Sequence, residues 1–214
     1  QGGCQPRPAP CGSQGCEVNG WDLPEVVTVD GTPYRVNTDF RDVLDIIDHL
    51  TDPNDSEMER WYIAMALFYE DFASIPEGDY SEAMTKLAEF IEGGQLPPQN
   101  RKPPRRLMDW QQDASMIASG VNKVAGCDVR SLPYLHWFTF LGYFSAVGEG
   151  PLSTVVSIRN KLQNHKPLDK WEREYYRDHR SEVDLRERLS DAELAEKRRR
   201  SCSTAGNKHC ISTD

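Results

Sequence analysis

Residues 130–147 read RSLPYLHWFTFLGYFSAV. Leu132, Tyr134, Leu135, Trp137, Phe138, Phe140, Leu141, Tyr143, Phe144 and Val147 leave no polar face at a period of 3.6 residues. A helix that is apolar all round has to be enclosed by protein or by lipid. A bilayer span takes ~20 apolar residues; this run is shorter and carries His136 and Thr139 inside it. The stretch therefore predicts a central core helix, capped by Ser131 and broken by Gly148, Gly150 and Pro151, around which the rest of the chain packs.

Elsewhere the punctuation is local. Val26, Val27 and Val29 precede Asp30-Gly31, and Tyr34 and Val36 follow. Asp-Gly between β-branched residues signals a hairpin, because both turn residues tolerate positive φ. Pro33 marks the second strand as an edge. Thr38 is placed to cap a helix carrying Phe40, Val43, Leu44, Ile47 and Leu50. Ser56-x-x-Glu59 is a capping box that opens a helix with Trp61, Ala64, Met65, Phe68 and Phe72 on related faces. Asp79-x-x-Glu82 starts another, with Ala83, Leu87, Phe90 and Ile91 inward and Gly93-Gly94 as its stop. Asp109-x-x-Gln112 caps a helix bearing Trp110, Ala114, Ile117, Val121 and Val124, ended by Gly126. Ser153–Leu162 forms a short helix, Trp171, Tyr175 and Tyr176 mark the next, and residues 186–200 suit a helix with little apolar surface. The fold class is mainly α, a helical bundle with a small N-terminal β-hairpin.

Composition divides the chain further. Residues 1–20, rich in Gly, Pro, Gln and Cys, form a disordered N-terminal extension. Residues 21–94 are an acidic lobe of hairpin plus helices, with 18 Asp/Glu against 4 Lys/Arg, a balance of −14. Residues 95–106 (QLPPQNRKPPRR) are a Pro-rich basic linker, 107–185 an aromatic-rich helical lobe, and 186–214 a charged helical or disordered tail. Residues 95–200 carry 19 Lys/Arg against 14 Asp/Glu, so +5 there opposes the acidic lobe within a net charge of −9. Such a layout favours attraction between lobes, or head-to-tail self-association.

Cysteines crowd the ends: Cys4, Cys11 and Cys16 at one, Cys202 and Cys210 at the other, with Cys127 alone in the body. A disulfide-built fold spreads them through its core, so the body reads as a reduced, cytosolic domain. The first residues hold no apolar run of the length a secretory signal requires. The three N-terminal cysteines lack the paired C-x-x-C spacing of a zinc site.

Catalytic signals are missing from the sequence. It contains no G-x-S-x-G elbow, Walker loop, G-x-G-x-x-G or H-E-x-x-H. His49, His136, His165, His179 and His209 are scattered, and His136 reads as a hydrogen-bonded core histidine. No cofactor and no metal is expected. Arg101-Lys102, Arg105-Arg106 and Arg198 to Arg200 are basic patches without interleaved aromatics, which speaks against nucleic acid. What remains is apolar surface. Trp21, Trp61, Trp110, Trp137 and Trp171 are mostly core, and some are placed to line a groove for a partner helix. The expected contact residues are Arg130, Trp137, Phe138, Arg159 and Trp171. Arg130 and Arg159 are expected to bridge to the acidic lobe, so that charge reversal at either alters partner binding more than folding.

Five segments carry a resemblance: TDFRDVLDI (38–46), LMDWQQD (107–113), VNKVAGCDVRSLPYLHWFTFLG (121–142), STVVSIRNK (153–161) and LDKWEREYYR (168–177). In this order they resemble the bacteriophage gene-product-fifteen family, encoded in the tail-morphogenesis region of long-tailed phages and prophages of Gram-positive hosts. The resemblance spans about residues 21–185. It implies a phage tail assembly protein in the host bacterial cytoplasm, a chaperone covering the tape-measure protein and not an enzyme. It further implies a paired tail chaperone or self-association. Two alternatives stand beside it: a structural tail component retained in the virion, and an enzyme using acid/base chemistry around Asp42, Asp45 and Asp48. The chain does not begin with Met. Residues 1–20 are thus read either as a ribosomal-frameshift junction with an upstream partner or as sequence ahead of the true start.

Overall fold

The hairpin forms where Asp30-Gly31 places it. In a computed structural model that describes residues 22–94 and 105–205, β1 (Val26–Val29) and β2 (Thr32–Arg35) pair antiparallel, Val26 opposite Arg35 and Val29 opposite Thr32. Asp30 and Gly31 take φ of 44° and 74°, the left-handed pair that a tight two-residue turn needs. The described sheet has two strands, so both are edges and Pro33 is tolerated. The expectations for residues 1–20, for 95–104 and for 206–214 lie outside the described residues, as do Trp21, Cys4, Cys11, Cys16 and Cys210.

Helices follow, nine among the described residues. α1 (Phe40–Leu50) buries Phe40, Val43 and Ile46. Its cap is Asp39 and not Thr38. The Asp39 carboxylate accepts the Arg41 N–H at 3.0 Å, while the Thr38 hydroxyl is taken by the Tyr134 hydroxyl at 2.7 Å. α2 (Glu57–Phe68) opens with the capping box as expected: the Ser56 N–H donates to Glu59 Oε2 at 2.9 Å and the Glu59 N–H to Ser56 Oγ at 3.3 Å. It ends before Phe72, because Tyr69 turns extended and bridges Val36. Phe72 falls in a separate 3-10 turn, Phe72–Ser74. α3 (Tyr80–Ile91) buries Ala83, Leu87 and Phe90 and stops at Gly93 and Gly94, with φ of 72° and 85°. Glu82 closes no cap there; its carboxylate accepts the Asp30 N–H at 3.1 Å and ties α3 to the hairpin turn.

α4 (Ala114–Ala125) starts one turn later than Asp109 suggested. The Asp109 carboxylate accepts the N–H of Gln111 and Gln112 at 3.0 and 2.7 Å and fixes a non-helical turn first. Gly126, at φ 73°, ends α4 as its position predicts.

The long apolar helix is corrected most. α5 is Trp137–Ser145, nine residues, and Ser131 belongs to a 3-10 turn, Val129–Ser131. Leu132 precedes Pro133 and is extended at φ −69° and ψ 140°, the conformation a following proline favours. Residues 135–137 then pair with 38–40. The Phe40 N–H donates to the Leu135 carbonyl at 3.0 Å and the Trp137 N–H to the Thr38 carbonyl at 2.7 Å. Nor is α5 enclosed all round: Trp137 and Phe140 are buried, but Phe138, Leu141, Tyr143 and Phe144 are half-buried.

α6 (Pro151–Gln163) begins two residues before Ser153, with Pro151 in the first helical position, where its missing N–H costs nothing. α7 (Lys170–Asp178) and α8 (Arg180–Val183) follow, and α9 (Asp191–Ala205) runs past Arg200, exposed over residues 191–197. One apolar cluster joins the hairpin to α1–α5 and Leu152, from Val29 through Phe68, Leu87 and Val121 to Trp137. A smaller one, Val155, Ile158 and Val183, lies where α6 meets α8.

Candidate functional site

Two sets of polar groups organise the interior. In the first, the Asp39 carboxylate accepts from Arg41 Nη1 and from the Leu135 N–H, each at 3.0 Å. Arg41 Nη2 reaches the carbonyls of Leu132, Arg130 and Val129 at 2.5, 3.3 and 3.4 Å. Arg41, not Arg130, thus spans from the acidic segment to the loop before α5. His136 completes this junction. Its Nδ1 accepts the Phe138 N–H at 3.0 Å and caps α5, which leaves the proton on Nε2 to donate to the Pro24 carbonyl at 3.1 Å. Burial lowers the His136 pKa against the opposing pull of Pro24 and Glu25. Both ring nitrogens are committed to backbone, the core-histidine role its setting suggested.

The second set surrounds Arg159. Its side chain is 3% exposed and faces Asp113, which is 0% exposed. Nη1 donates to Asp113 Oδ2 at 2.6 Å and the Leu107 carbonyl at 3.0 Å; Nη2 donates to Asp113 Oδ1 at 2.9 Å and the Glu182 carbonyl at 2.7 Å; Nε donates to the Val183 carbonyl at 2.7 Å. All five guanidinium donors are therefore used inside the chain. Next to this centre, Asp109 holds Arg106 and Arg188, and Arg188 also pairs with Asp48 at 3.0 Å. Burial pushes the Asp109 carboxyl up, but the Gln112 N–H, Arg188 and Arg106 outweigh it and hold the group below its ordinary value. A charged cleft of about 430 Å³ lies here, lined by Asp48, Asp52, Arg106, Asp109, Arg186 and Arg188.

The five expected contact residues separate accordingly. Arg159 does not bridge to the acidic lobe; its partner Asp113 lies in 107–185, and no guanidinium face is left for a partner. Trp137 is fully buried and its indole N–H donates to the Ile91 carbonyl at 3.0 Å, so it is core. Phe138 is half-buried against Phe90. Arg130 is exposed and chelated by Asp128 of its own turn, through Nε and Nη2 at 2.9 Å each. Hydrogen bonds from the Arg130 side chain and backbone hold the Asp128 carboxyl well below the usual carboxylate range. Trp171, on α7, is 55% exposed.

Asp42 and Asp45 stand exposed on α1, and Asp48 is tied to Arg188. Partial desolvation, then Asp39 and Asp45, raise the Asp42 carboxyl. Among the described residues no three His, Cys, Asp or Glu are grouped to hold a metal ion, and no helix is long and apolar enough to cross a membrane.

What the sequence reading missed is the outer face of α2. Met58, Tyr62 and Ala66 repeat every fourth residue and are all exposed, Met58 at 83% and Tyr62 at 53%. The i+4 spacing was visible, but the inward set of Ala64, Met65 and Phe68 accounted for the helix without it.

A family model described as Bacteriophage Gp15 protein matches residues 21–185. The chain belongs to this family. The matched span runs from the hairpin through α8 and holds both polar centres except Arg186 and Arg188 of the cleft, which lie beyond it with α9. It is a phage protein of mainly α fold. No curated protein and no solved structure matches it.

Proposed function

We propose that this Gp15-family protein is a tail assembly chaperone, which covers the tape-measure protein in the host cytoplasm until tube subunits replace it. The observation that carries this reading is where the chain spends its polar and its apolar groups. Arg159, Asp113, Asp109 and His136 are consumed in holding the fold together. Met58, Tyr62 and Trp171 are left in solvent. A contiguous exposed apolar face rimmed by polar residues, such as Met58 and Tyr62 form on α2, suits contact with another protein. A tape measure offers long apolar stripes that need cover, and burying them yields roughly 25 cal/mol per Å² before ordering costs are subtracted.

Co-expression with the adjacent tape-measure protein tests this. The tape measure stays soluble with this chain present and precipitates without it. Mass spectrometry of purified virions then finds the chain absent. Stoichiometric presence in the particle would replace the chaperone by a structural tail component.

A further inference from the structure

The outer face of α2 does not stand alone. Tyr62 meets Phe72 edge-on at 5.0 Å between ring centroids, and Phe72 stacks on Tyr80 at 5.4 Å. Met58 lies one turn before Tyr62 on the same face. An apolar strip therefore runs from α2 across the Phe72–Ser74 turn to the start of α3, open at Met58 and Tyr62 and half-buried at Phe72 and Tyr80.

The chain on either side of the strip is acidic. Between Arg41 and Lys86 the only Lys or Arg is Arg60. Arg60 turns toward α1, where Nη1 reaches the Leu50 carbonyl at 3.5 Å. Glu57 and Glu59 flank Met58, and Asp71 and Glu77 flank the aromatic turn, all exposed. Arg35 of β2 already pairs with Glu70 at 3.5 Å, next to Asp71, but Glu57, Glu59, Asp71 and Glu77 leave the strip flanked mainly by carboxylates, which favours a cationic ligand.

We infer that this strip docks an amphipathic helix whose apolar stripe is flanked by Lys or Arg. The apolar face of such a helix is buried against the ring row, as in groove-binding helices, and its cations meet the acidic rim, which also speeds encounter. The chain's own basic helix, α9, presents Leu194 as its one large exposed apolar side chain among those described, so it lacks the stripe. The inference rests on the reading of this protein as a cover for a helical partner, and it names the surface and the chemistry of that partner.

Two synthetic helical peptides with one leucine stripe, flanked either by lysines or by glutamates, are titrated by fluorescence anisotropy against the full chain. The lysine-flanked peptide binds at least about tenfold tighter. Met58→Ser with Tyr62→Ser weakens it about tenfold, and Val124→Ser, at an exposed apolar position on α4, leaves it unchanged. Asp71→Lys with Glu77→Lys inverts the preference between the peptides. If the double serine variant fails to fold by circular dichroism, Met58→Ser alone carries the test. Equal binding of both peptides, or indifference to the serine substitutions, overturns the inference. So does a concentration-dependent dimer that those substitutions abolish, because a second copy is then the occupant. A serine variant that binds no peptide yet keeps the tape measure soluble refutes this face and spares the chaperone reading. Peptide binding at the face with an insoluble tape measure does the reverse.

Discussion

Arg159 grips Asp113 with both terminal nitrogens, at 2.6 and 2.9 Å, in a site where neither side chain is more than 3% exposed. The pair closes more than its own charge. Through the Leu107, Glu182 and Val183 carbonyls it joins the segment before α4 and the end of α8 to α6. Removing one partner strands a buried charge, at about 3–5 kcal/mol. Asp113→Ala and Arg159→Ala should each lose that much in urea unfolding. Charge reversal at Arg159 is then a folding defect, contrary to the expectation from sequence. Arg159→Met combined with Asp113→Leu should be less damaging than the two single losses summed, as a matched apolar pair replaces the ions. Strict additivity would show that the two side chains are not coupled.

His136 sets a pH dependence. The folded chain uses its neutral form, with Nδ1 accepting from the Phe138 N–H, and burial lowers its pKa. The unfolded chain has an ordinary histidine with pKa about 6.5. Below that value the unfolded state binds more protons, so stability is full above it and falls as pH drops toward the lowered folded pKa. Thermal melts from about pH 7.5 to 5 should show this decline. His136→Asn keeps a side-chain acceptor for the cap and should flatten the slope over that range. An unchanged slope in this variant would place the effect on other groups.

The features that could be read directly from sequence are those whose causes sit within a few residues. Asp30-Gly31, the Ser56–Glu59 box, Gly93-Gly94 and Gly126 each act on their own turn, and each stands where expected. The misplacements have distant causes. The Thr38 hydroxyl is engaged by Tyr134, 96 residues away, while Asp39 takes the cap, and α5 starts late because residues 135–137 pair with 38–40. Sequence points Arg159 at the acidic lobe because arginine is rarely buried unpaired; its partner Asp113 is 46 residues away, and nothing local marks the pairing. Trp137 fell among the contact residues for a related reason. Its apolar neighbours fix that it is covered, but only the packing against Phe140, Trp110 and the Ile91 carbonyl decides by what. The α2 face escaped notice because two apolar stripes on one helix blur its periodicity.

Gly120 marks a close approach. A Cβ there would lie 2.7 Å from Val147 Cγ1 and 3.6 Å from its Cβ, where α4 passes the segment after α5. In a solvated helix, Gly→Ala gains about 0.8–1 kcal/mol. Here overpacking costs about 1–3 kcal/mol and outweighs it. Gly120→Ala should lower the melting temperature, and Gly120→Ala with Val147→Ala should recover most of the loss. A more stable single variant would mean that Val147 moves aside freely.

Arg188 fastens the C-terminal segment. It reaches Asp109 at 3.1 Å and Asp48 at 3.0 Å, and Asp191 beyond it donates its N–H to Asn54 Oδ1 at 2.8 Å. The two carboxylates are not equal partners: Asp109 is 6% exposed and Asp48 48%. Arg188→Ala should cost about 1–2 kcal/mol, mostly through Asp109, since an exposed ion pair contributes about 0–1 kcal/mol. Asp48→Asn should therefore be milder than Arg188→Ala, and Asp109→Asn harsher, because it also releases Arg106. The loss should be local. Hydrogen exchange over residues 186–191 should speed up in Arg188→Ala while α1 to α5 keep their protection. Because the Asp109 carboxyl is held below its ordinary value, its contribution is present above about pH 4 and disappears as pH falls through the lowered value. Arg188→Ala should accordingly shift acid unfolding to higher pH, and an unmoved acid midpoint would show that the Gln112 N–H and Arg106 suffice to keep Asp109 ionised.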